Sequence, residues 1–174
     1  MEPTSGKLQS LANVSTIVVS VLLSIVLVKV FLLPQNAPAP NLPQQPRAGM
    51  NIKQSLPGVD WARNKQTLVL ALSTQCHFCT ESAPFFQRIQ KEASDKVKMV
   101  AVLPQAVEEG RKYLEGKGVH VDDVKQATLS AIGVRGTPTL LLVDSTGKVA
   151  DVWQGKLDPD QEAGVLAVLK KGVP

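Results

Sequence analysis

Cysteine, aromatic residues and clustered charge are all scarce in this 174-residue chain. It has two cysteines, and aromatic residues make up 4% of it. Two cysteines are too few for a disulfide scaffold, and without a second pair they do not complete a four-ligand zinc site. The 19 Lys and Arg exceed the 15 Asp and Glu, but no basic patch is interleaved with aromatic residues. We therefore expect no metal site, no other cofactor and no nucleic-acid partner.

Charge is also absent from residues 8–28, and nearly every residue from 14 to 33 is Val, Ile, Leu or Ser. About 20 apolar residues are enough to span a bilayer, so residues 8–33 are predicted to form a transmembrane anchor. The alternative is a cleaved signal peptide. However, the run is longer than a usual signal core. The one small-residue site where cleavage could occur, Ala37-Pro38-Ala39, is followed by Pro40, which signal peptidases generally reject. Positive charges on both sides leave the orientation open.

Proline is concentrated just after the apolar run. Residues 34–50 contain five prolines, separated mostly by Gln, Asn and Ala. This composition favours an extended, semi-rigid linker of about 3.1 Å per residue. The residues that follow are numerous enough to bury one core. The sequence therefore predicts an N-terminal tail and anchor (residues 1–33), a Pro-rich linker (34–50) and one folded domain (51–174).

Within the domain, apolar runs of strand length alternate with stretches that have helical patterns. The predicted strands are residues 67–72, 97–103, 119–121, 139–143 and 148–153. The predicted helices are residues 80–93, 105–115, 122–132 and 158–171. Asp144-Ser145-Thr146-Gly147 is a turn signal that joins the last two strands as a hairpin. The alternation followed by a hairpin predicts an α/β layered domain with a mixed sheet.

Both cysteines lie in one short segment, Cys76-His77-Phe78-Cys79, between the first predicted strand and the first predicted helix. In the first turn of a helix, residues i and i+3 share a face, and modest adjustment brings such a pair within disulfide range. A Cys-x-x-Cys at a strand-to-helix junction is typical of a thiol–disulfide redox site. The partial positive charge of a helix N-terminus favours the thiolate, which is the reactive form. We expect Cys76 to be the nucleophile, with a pKa that His77 lowers further, and Cys79 to be the resolving thiol.

A second segment, Gly133-Val134-Arg135-Gly136-Thr137-Pro138-Thr139, resembles the Gly-hydrophobic-Arg-Gly-x-Pro-Thr motif of thioredoxin-fold proteins. With the cysteine pair and with Pro84, five residues after Cys79, the resemblance covers residues 65–172. It implies a thioredoxin-like three-layer fold with a mixed sheet. The anchor, the linker and an insertion between residues 104 and 121 resemble TlpA-like membrane-anchored thioredoxins, which implies an extracytoplasmic (periplasmic) domain.

The resemblance also implies a substrate groove beside the cysteines. It makes Pro138 a cis proline that faces the pair, an uncommon feature outside tight functional turns. The backbone of Thr137 would then pair with an extended partner peptide as an added strand. Gly155 resembles a glycine that lines the same groove, and an ordinary turn glycine is the alternative.

Three positions depart from thioredoxin. Leu70 stands where thioredoxin carries a buried acid that helps to deprotonate the resolving cysteine, and Leu72 stands in place of an aromatic residue. The dipeptide His77-Phe78 is neither the Gly-Pro of thioredoxin nor the Pro-His of the periplasmic disulfide oxidase. Because residues between the cysteines influence the reduction potential, His77 and Phe78 are predicted to tune it. Glu81 is expected to stabilise the helix N-terminus as a first-turn charge.

Together these features predict a membrane-anchored enzyme, a thiol–disulfide oxidoreductase that exchanges disulfides with protein partners. The alternative is a membrane-anchored copper chaperone that uses the same two thiolates, with His120 as the only remote histidine. A peroxidase is disfavoured because no Pro-x-x-x-Thr-x-x-Cys pattern surrounds Cys76. The direction of electron transfer and the oligomeric state stay open.

Overall fold

The computed structural model describes residues 17–24 and 46–172. Residues 17–24 are helical, and their six apolar side chains are exposed. Neither described range contains a helix that is both long and apolar enough to cross a bilayer. Most of the predicted anchor and linker lies outside the described residues. The chain divides into two units between Leu42 and Pro43, and the domain that follows belongs to the second.

The domain is built on one five-stranded mixed sheet with the strand order β3-β2-β1-β4-β5. Its strands are β1 (Gln66–Ala71), β2 (Lys98–Leu103), β3 (Asp123–Gln126), β4 (Thr139–Asp144) and β5 (Val149–Gln154). Its helices are α1 (His77–Glu81), α2 (Ala83–Ala93), α3 (Val107–Gly116) and α4 (Pro159–Lys171), with a 3-10 helix at Leu129–Ile132.

The central strand β1 explains why the core forms on both sides of the sheet. All of its residues are buried, and its side chains alternate between the two faces. Leu68 and Leu70 enter one apolar cluster, whereas Val69 and Ala71 enter another. A strand that is covered on both faces has a nearly continuous apolar sequence. The β1 sequence has this character, because Leu and Val fill its middle.

Two layers cover the faces of the sheet. Helices α2 and α4 pack over the first cluster, and residues before β1 together with the 3-10 helix close the second. The main contributors to the first are Phe86, Ile89, Leu166 and Leu169. The main contributors to the second are Ile52, Leu56, Trp61 and Ile132.

The pairing of β1 with β4 places the two sequence motifs side by side. These strands are antiparallel, and Ala71 lies opposite Thr139. The cysteine segment follows the end of β1, and Thr137 and Pro138 precede the start of β4. Both segments therefore leave the sheet at the same end, which is the end that carries the candidate site.

Most predicted elements are confirmed, with bounds that differ by one or two residues. The strands at 67–72, 97–103, 139–143 and 148–153 correspond to β1, β2, β4 and β5, and the helix at 105–115 corresponds to α3. At the last helix, the Asp158 carboxylate accepts from Gln161 N–H at 2.8 Å, and the Gln161 side chain accepts from Asp158 N–H at 3.0 Å. These reciprocal bonds form the capping box that starts α4.

The segment between α3 and β4 was predicted wrongly. Residues 119–121 form no strand, and residues 122–132 form β3 and a 3-10 helix instead of one helix. Asp122, the first residue of the predicted helix, uses its carboxylate to accept from Met99 N–H at 2.9 Å. Beyond it, Val124 pairs in parallel with Ala101. Edge pairing with β2 has overridden the local helix signal, as tertiary context often does.

The helix that follows the cysteines also differs from the prediction. A single helix was expected over residues 80–93, but α1 already begins at His77 and ends at Glu81, and α2 begins at Ala83. Ser82 lies at the break, and Pro84 occupies the first turn of α2. Proline is tolerated in a first turn because the N–H that it lacks would have no partner there.

Candidate active site

The two cysteines lie together at the start of α1 and differ in burial. Cys76 is the N-cap residue, and its Sγ accepts a hydrogen bond from Cys79 N–H at 3.1 Å. Cys79, one turn along, is buried with 1% of its surface exposed, whereas Cys76 is partly exposed. Both are free thiols. A partner can therefore reach Cys76 first and Cys79 only through it.

The surroundings of Cys76 favour its thiolate. Partial burial tends to raise its pKa, but hydrogen bonds with Cys79 and Thr137 and with backbone groups of α1 outweigh this and leave the pKa below the ordinary value. The Thr137 bond that lowers the pKa involves the Thr137 side chain. The Thr137 carbonyl, 3.3 Å from Cys76 Sγ, accepts only from the protonated thiol. A sulfur in the N-cap position also faces the positive end of the helix backbone. The chemistry expected of a nucleophile is thus present at Cys76.

Cys79 has the opposite character. Burial is the largest cause that raises its pKa, the neighbouring Cys76 raises it further, and the result is a pKa of about 12. At neutral pH Cys79 therefore stays a thiol. A thiolate at the surface backed by a protonated, buried thiol separates the two roles that thiol–disulfide exchange requires.

Iodoacetamide is expected to alkylate Cys76 and to leave Cys79 unmodified when the folded, reduced protein is treated at neutral pH. The thiolate fraction rises with pH, so the rate at Cys76 should reach half its maximum at a lower pH than for free cysteine. Peptide mapping by mass spectrometry across a pH series measures both sites. The Cys76→Ser variant is the control, since burial should keep its Cys79 slow. Faster labelling of Cys79 than of Cys76 would overturn this ordering.

The groove residues named from the sequence meet next to the cysteines. The Thr137–Pro138 peptide bond is cis, and Gly155 N–H donates to the Pro138 carbonyl at 2.7 Å. Gly155 has φ of +83°, and a Cβ there would meet no atom within 4 Å. Glycine is thus favoured by its backbone conformation, and the surface above it is open.

A charged network lies on the exposed rim of α1. His77 Nε2 lies 3.1 Å from Glu81 Oε1, and Lys156 Nζ lies 2.8 Å from Glu81 Oε2. The hydrogen bond from Lys156 is the largest cause that lowers the pKa of Glu81. The expected first-turn role of Glu81 was wrong, because Glu81 is the last residue of α1 and the first turn contains no acidic residue. Its contact with Lys156 instead ties α1 to the residue after Gly155. Phe78, between the cysteines, is 54% exposed.

Several contacts of the site come from the inserted helix α3 and were not predicted. Tyr113 Oη lies 3.1 Å from Thr80 Oγ1, and Thr74 Oγ1 donates to Glu109 Oε1 at 2.9 Å. Burial is the largest cause that raises the pKa of Tyr113, and the charges of both cysteines contribute. The sequence signalled the helix itself, but nothing in it indicated which residues would face the cysteines.

The third ligand considered for the copper alternative lies elsewhere. His120 is exposed and borders a shallow cavity with Ser94 and Lys98. Ser94 precedes β2 and Lys98 is its first residue, so this cavity lies at the end of the sheet opposite to the cysteines. No group of three or more metal-ligating residues occurs in residues 17–24 and 46–172. Within those residues, neither His77 nor His120 forms a metal-ligating group with the two thiols.

A reactive surface cysteine in front of a buried one is the working part of thiol–disulfide oxidoreductases, and the sheet that carries this pair has the thioredoxin-like fold. The protein is an enzyme of this class. The Redoxin family profile matches residues 36–169, and the chain belongs to that family.

Solved structures of similar fold come from several bacteria. A Chlorobium tepidum protein assigned as the thiol:disulfide interchange protein DsbE has 23% identity and a TM-score of 0.57, over 71% of this chain and 98% of its own. A thiol-disulfide isomerase from Corynebacterium glutamicum has 18% identity and a TM-score of 0.54, over 78% and 98%. The thioredoxin domain of a Bacteroides vulgatus thiol-disulfide oxidoreductase has 19% identity and a TM-score of 0.52, over 70% of this chain and 90% of its own. At these identities the likeness establishes the fold. No curated protein sequence matches the chain.

Proposed function

We propose that this protein is a membrane-anchored thiol–disulfide oxidoreductase that exchanges disulfides with protein partners through Cys76 and Cys79. The observation that carries the proposal is the contrast between the two thiols. Cys76 is accessible, N-caps α1 and has a lowered pKa, whereas Cys79 is buried with a pKa of about 12. The names of the structural neighbours, an interchange protein, an isomerase and an oxidoreductase, agree with this chemistry.

The reaction begins at Cys76. Its thiolate attacks one sulfur of a partner disulfide, forms a mixed disulfide and releases the other partner sulfur as a thiolate. Cys79 then loses its proton and attacks the Cys76 sulfur, which releases the second partner thiolate and leaves a Cys76–Cys79 disulfide. The partner gains two electrons and this protein loses two. The reverse sequence oxidises a partner dithiol.

Thr137, Pro138 and Gly155 are proposed to hold the partner during this exchange. The Thr137 carbonyl already contacts Cys76 Sγ at 3.3 Å, so a peptide strand that pairs with the Thr137 backbone passes next to the nucleophile. Backbone pairing gives affinity without strict sequence selection. The open surface above Gly155 leaves room for such a strand. The exposed Phe78 ring and His77 are proposed to tune the reduction potential.

The proposed arrangement places residues 8–33 in the membrane, residues 34–50 as a spacer and residues 51–174 as the catalytic domain on the extracytoplasmic (periplasmic) side. The exposed apolar side chains of residues 17–24 support the anchor, since such a helix face favours a lipid environment. The prolines of the linker support a spacer that keeps the domain clear of the bilayer.

Two measurements test the proposal. A glutathione redox titration of the full-length protein, read from the ratio of free thiols to disulfide, should show one two-electron transition at Cys76 and Cys79. An alkaline-phosphatase fusion after Pro174 should be active only if the domain is exported. A chain that forms no Cys76–Cys79 disulfide under any glutathione ratio would refute the chemistry, and a fusion that is inactive in cells would refute the placement.

A further inference from the structure

The domain has a second distinctive surface at the end of the sheet opposite to the cysteines. We call this end the distal pole and define it by the first residues of β1 and β2, Gln66 and Lys98. The six residues of β1 separate it from the active site by about 20 Å, at about 3.3 Å per residue. The turn between β4 and β5 also lies here, because Asp144 pairs with Gln66.

A basic cleft of about 590 Å³ occupies the distal pole. Three chain segments line it: the residues that lead into β1, the loop before β2 together with the first residue of β2, and the end of α4. The cleft has one acidic residue, Asp95, and six exposed cationic residues, which are Arg63, Lys65, Lys96, Lys98, Lys170 and Lys171.

Only half of these cations are paired with acids. Lys96, Lys98 and Lys170 contact Asp95, Asp122 and Glu92 at 3.2, 2.9 and 2.7 Å. In the described part of the chain, Arg63, Lys65 and Lys171 form no ion pair. Surface ion pairs are weak and solvated. The cleft thus presents an unneutralised positive field that an anionic partner would compensate.

The charge of helix α4 is polarised along the axis that joins the two ends of the domain. Helix α4 has Asp160 and Glu162 in its first turn and Lys170 and Lys171 in its last. This arrangement suits the helix dipole. It also concentrates cations at the pole that lies away from Cys76.

The chain enters the domain at the same pole. Gly49 N–H donates to Val149 O at 2.7 Å, and Ile52 N–H donates to Gly147 O at 2.9 Å. These bonds hold the residues that follow the linker against the turn between β4 and β5. A tether from a membrane therefore reaches the domain at its basic end.

From this coincidence we propose that the distal pole docks on an anionic membrane surface through Arg63, Lys65 and Lys171 and their basic neighbours. The inference rests on the proposed anchor, because the tether supplies the proximity. Anionic headgroups attract juxtamembrane Lys and Arg over about one Debye length. In a docked domain the cleft faces the bilayer, and Cys76 faces away from the bilayer, towards soluble partners.

The test uses the full-length chain in nanodiscs made of neutral lipid alone or of neutral lipid with phosphatidylglycerol. The lysines are acetylated at low ionic strength, and mass spectrometry then identifies the modified residues. The lysines that stay unmodified are the ones that the membrane covers. We expect Lys65, Lys96, Lys170 and Lys171 to be protected only in the anionic discs, with Lys156 at the active-site end unchanged. Added salt should remove the protection.

Two variants with equal charge loss make the comparison specific. In Lys65→Gln/Lys171→Gln, protection is read at Lys96 and Lys170. The ratio of docked to undocked domain should fall about 30-fold, at about fivefold per cation. In Arg111→Gln/Lys112→Gln, on the exposed side of α3, protection should fall far less, because those cations lie outside the cleft.

Each remaining outcome has a definite meaning. The proposal would be overturned if the cleft lysines were acetylated freely in both kinds of disc, or if they were protected to the same degree in both. Protection by polyglutamate but not by anionic lipid would assign the cleft to an acidic protein and overturn it too. If the chain is not retained by discs of either composition, the anchor in the proposed function is wrong. The docking is then tested by acetylating the free chain with neutral or anionic vesicles. Protection of the cleft lysines by the anionic vesicles alone supports the docking, and any other result overturns it.

Discussion

Cys76→Ser is expected to lower disulfide reductase activity by roughly a thousandfold or more, because a serine hydroxyl is not ionised at neutral pH and is a weak nucleophile without an adjacent base. Reduction of insulin by the full-length protein with dithiothreitol measures the effect. The variant should keep its stability, since the side chain is partly exposed and serine accepts the Cys79 N–H as an N-cap. An equal unfolding midpoint in urea would confirm that chemistry alone was lost.

Cys79→Ser separates the two proposed roles. It retains the nucleophile, so the first exchange proceeds, but the mixed disulfide between Cys76 and the partner has no internal thiol to resolve it. Mass spectrometry and non-reducing gels should show accumulated covalent complexes, and Cys76→Ser should show none. Complexes that accumulate on Cys79 in the Cys76→Ser protein would reverse the assignment.

Leu70→Asp is expected to destabilise the protein by about 3 kcal/mol or more rather than to accelerate resolution by Cys79. Leu70 is fully buried, lies in the middle of β1 and shares an apolar cluster with Cys79. The substitution removes a packed side chain, which costs about 2–5 kcal/mol for leucine to alanine, and adds a buried carboxyl group. Urea denaturation of the variant and the unmodified protein gives the difference.

The pH dependence of the stability of Leu70→Asp shows whether the buried carboxyl group causes the destabilisation. Burial raises the pKa of the introduced carboxyl group in the folded state above its unfolded value. The folded state then binds more protons, so its stability falls as pH rises from the unfolded pKa towards the folded one. Asparagine is similar to aspartate in volume but has no charge, so Leu70→Asn should lose stability by an amount that does not depend on pH. A Leu70→Asp protein as stable as the unmodified protein, with faster turnover, would show that this core accepts the acid found in thioredoxin.

Local patterns predicted most elements of the fold because their causes are local. An apolar run bounded by polar residues produced β1, and Asp158, Pro159 and Gln161 specified the start of α4 through bonds that span three residues. The prediction failed over residues 119–132. There the pairing of β3 with β2 decided the structure, and no short-range signal encodes which edge a segment will join.

The candidate site divides in the same way. Sequence alone determined that this protein carries a Cys-x-x-Cys at a strand-to-helix junction and a Gly-Thr-Pro segment later in the chain, because spacing and residue type suffice for both. Tertiary structure decided that Cys76 meets Thr137, 61 residues away. It also set the pKa values of Cys76 and Cys79 apart and gathered the basic cleft from three distant segments. Those properties depend on burial and on distances between remote residues, which are established only when the antiparallel register of β1 and β4 and the packing of α4 are formed.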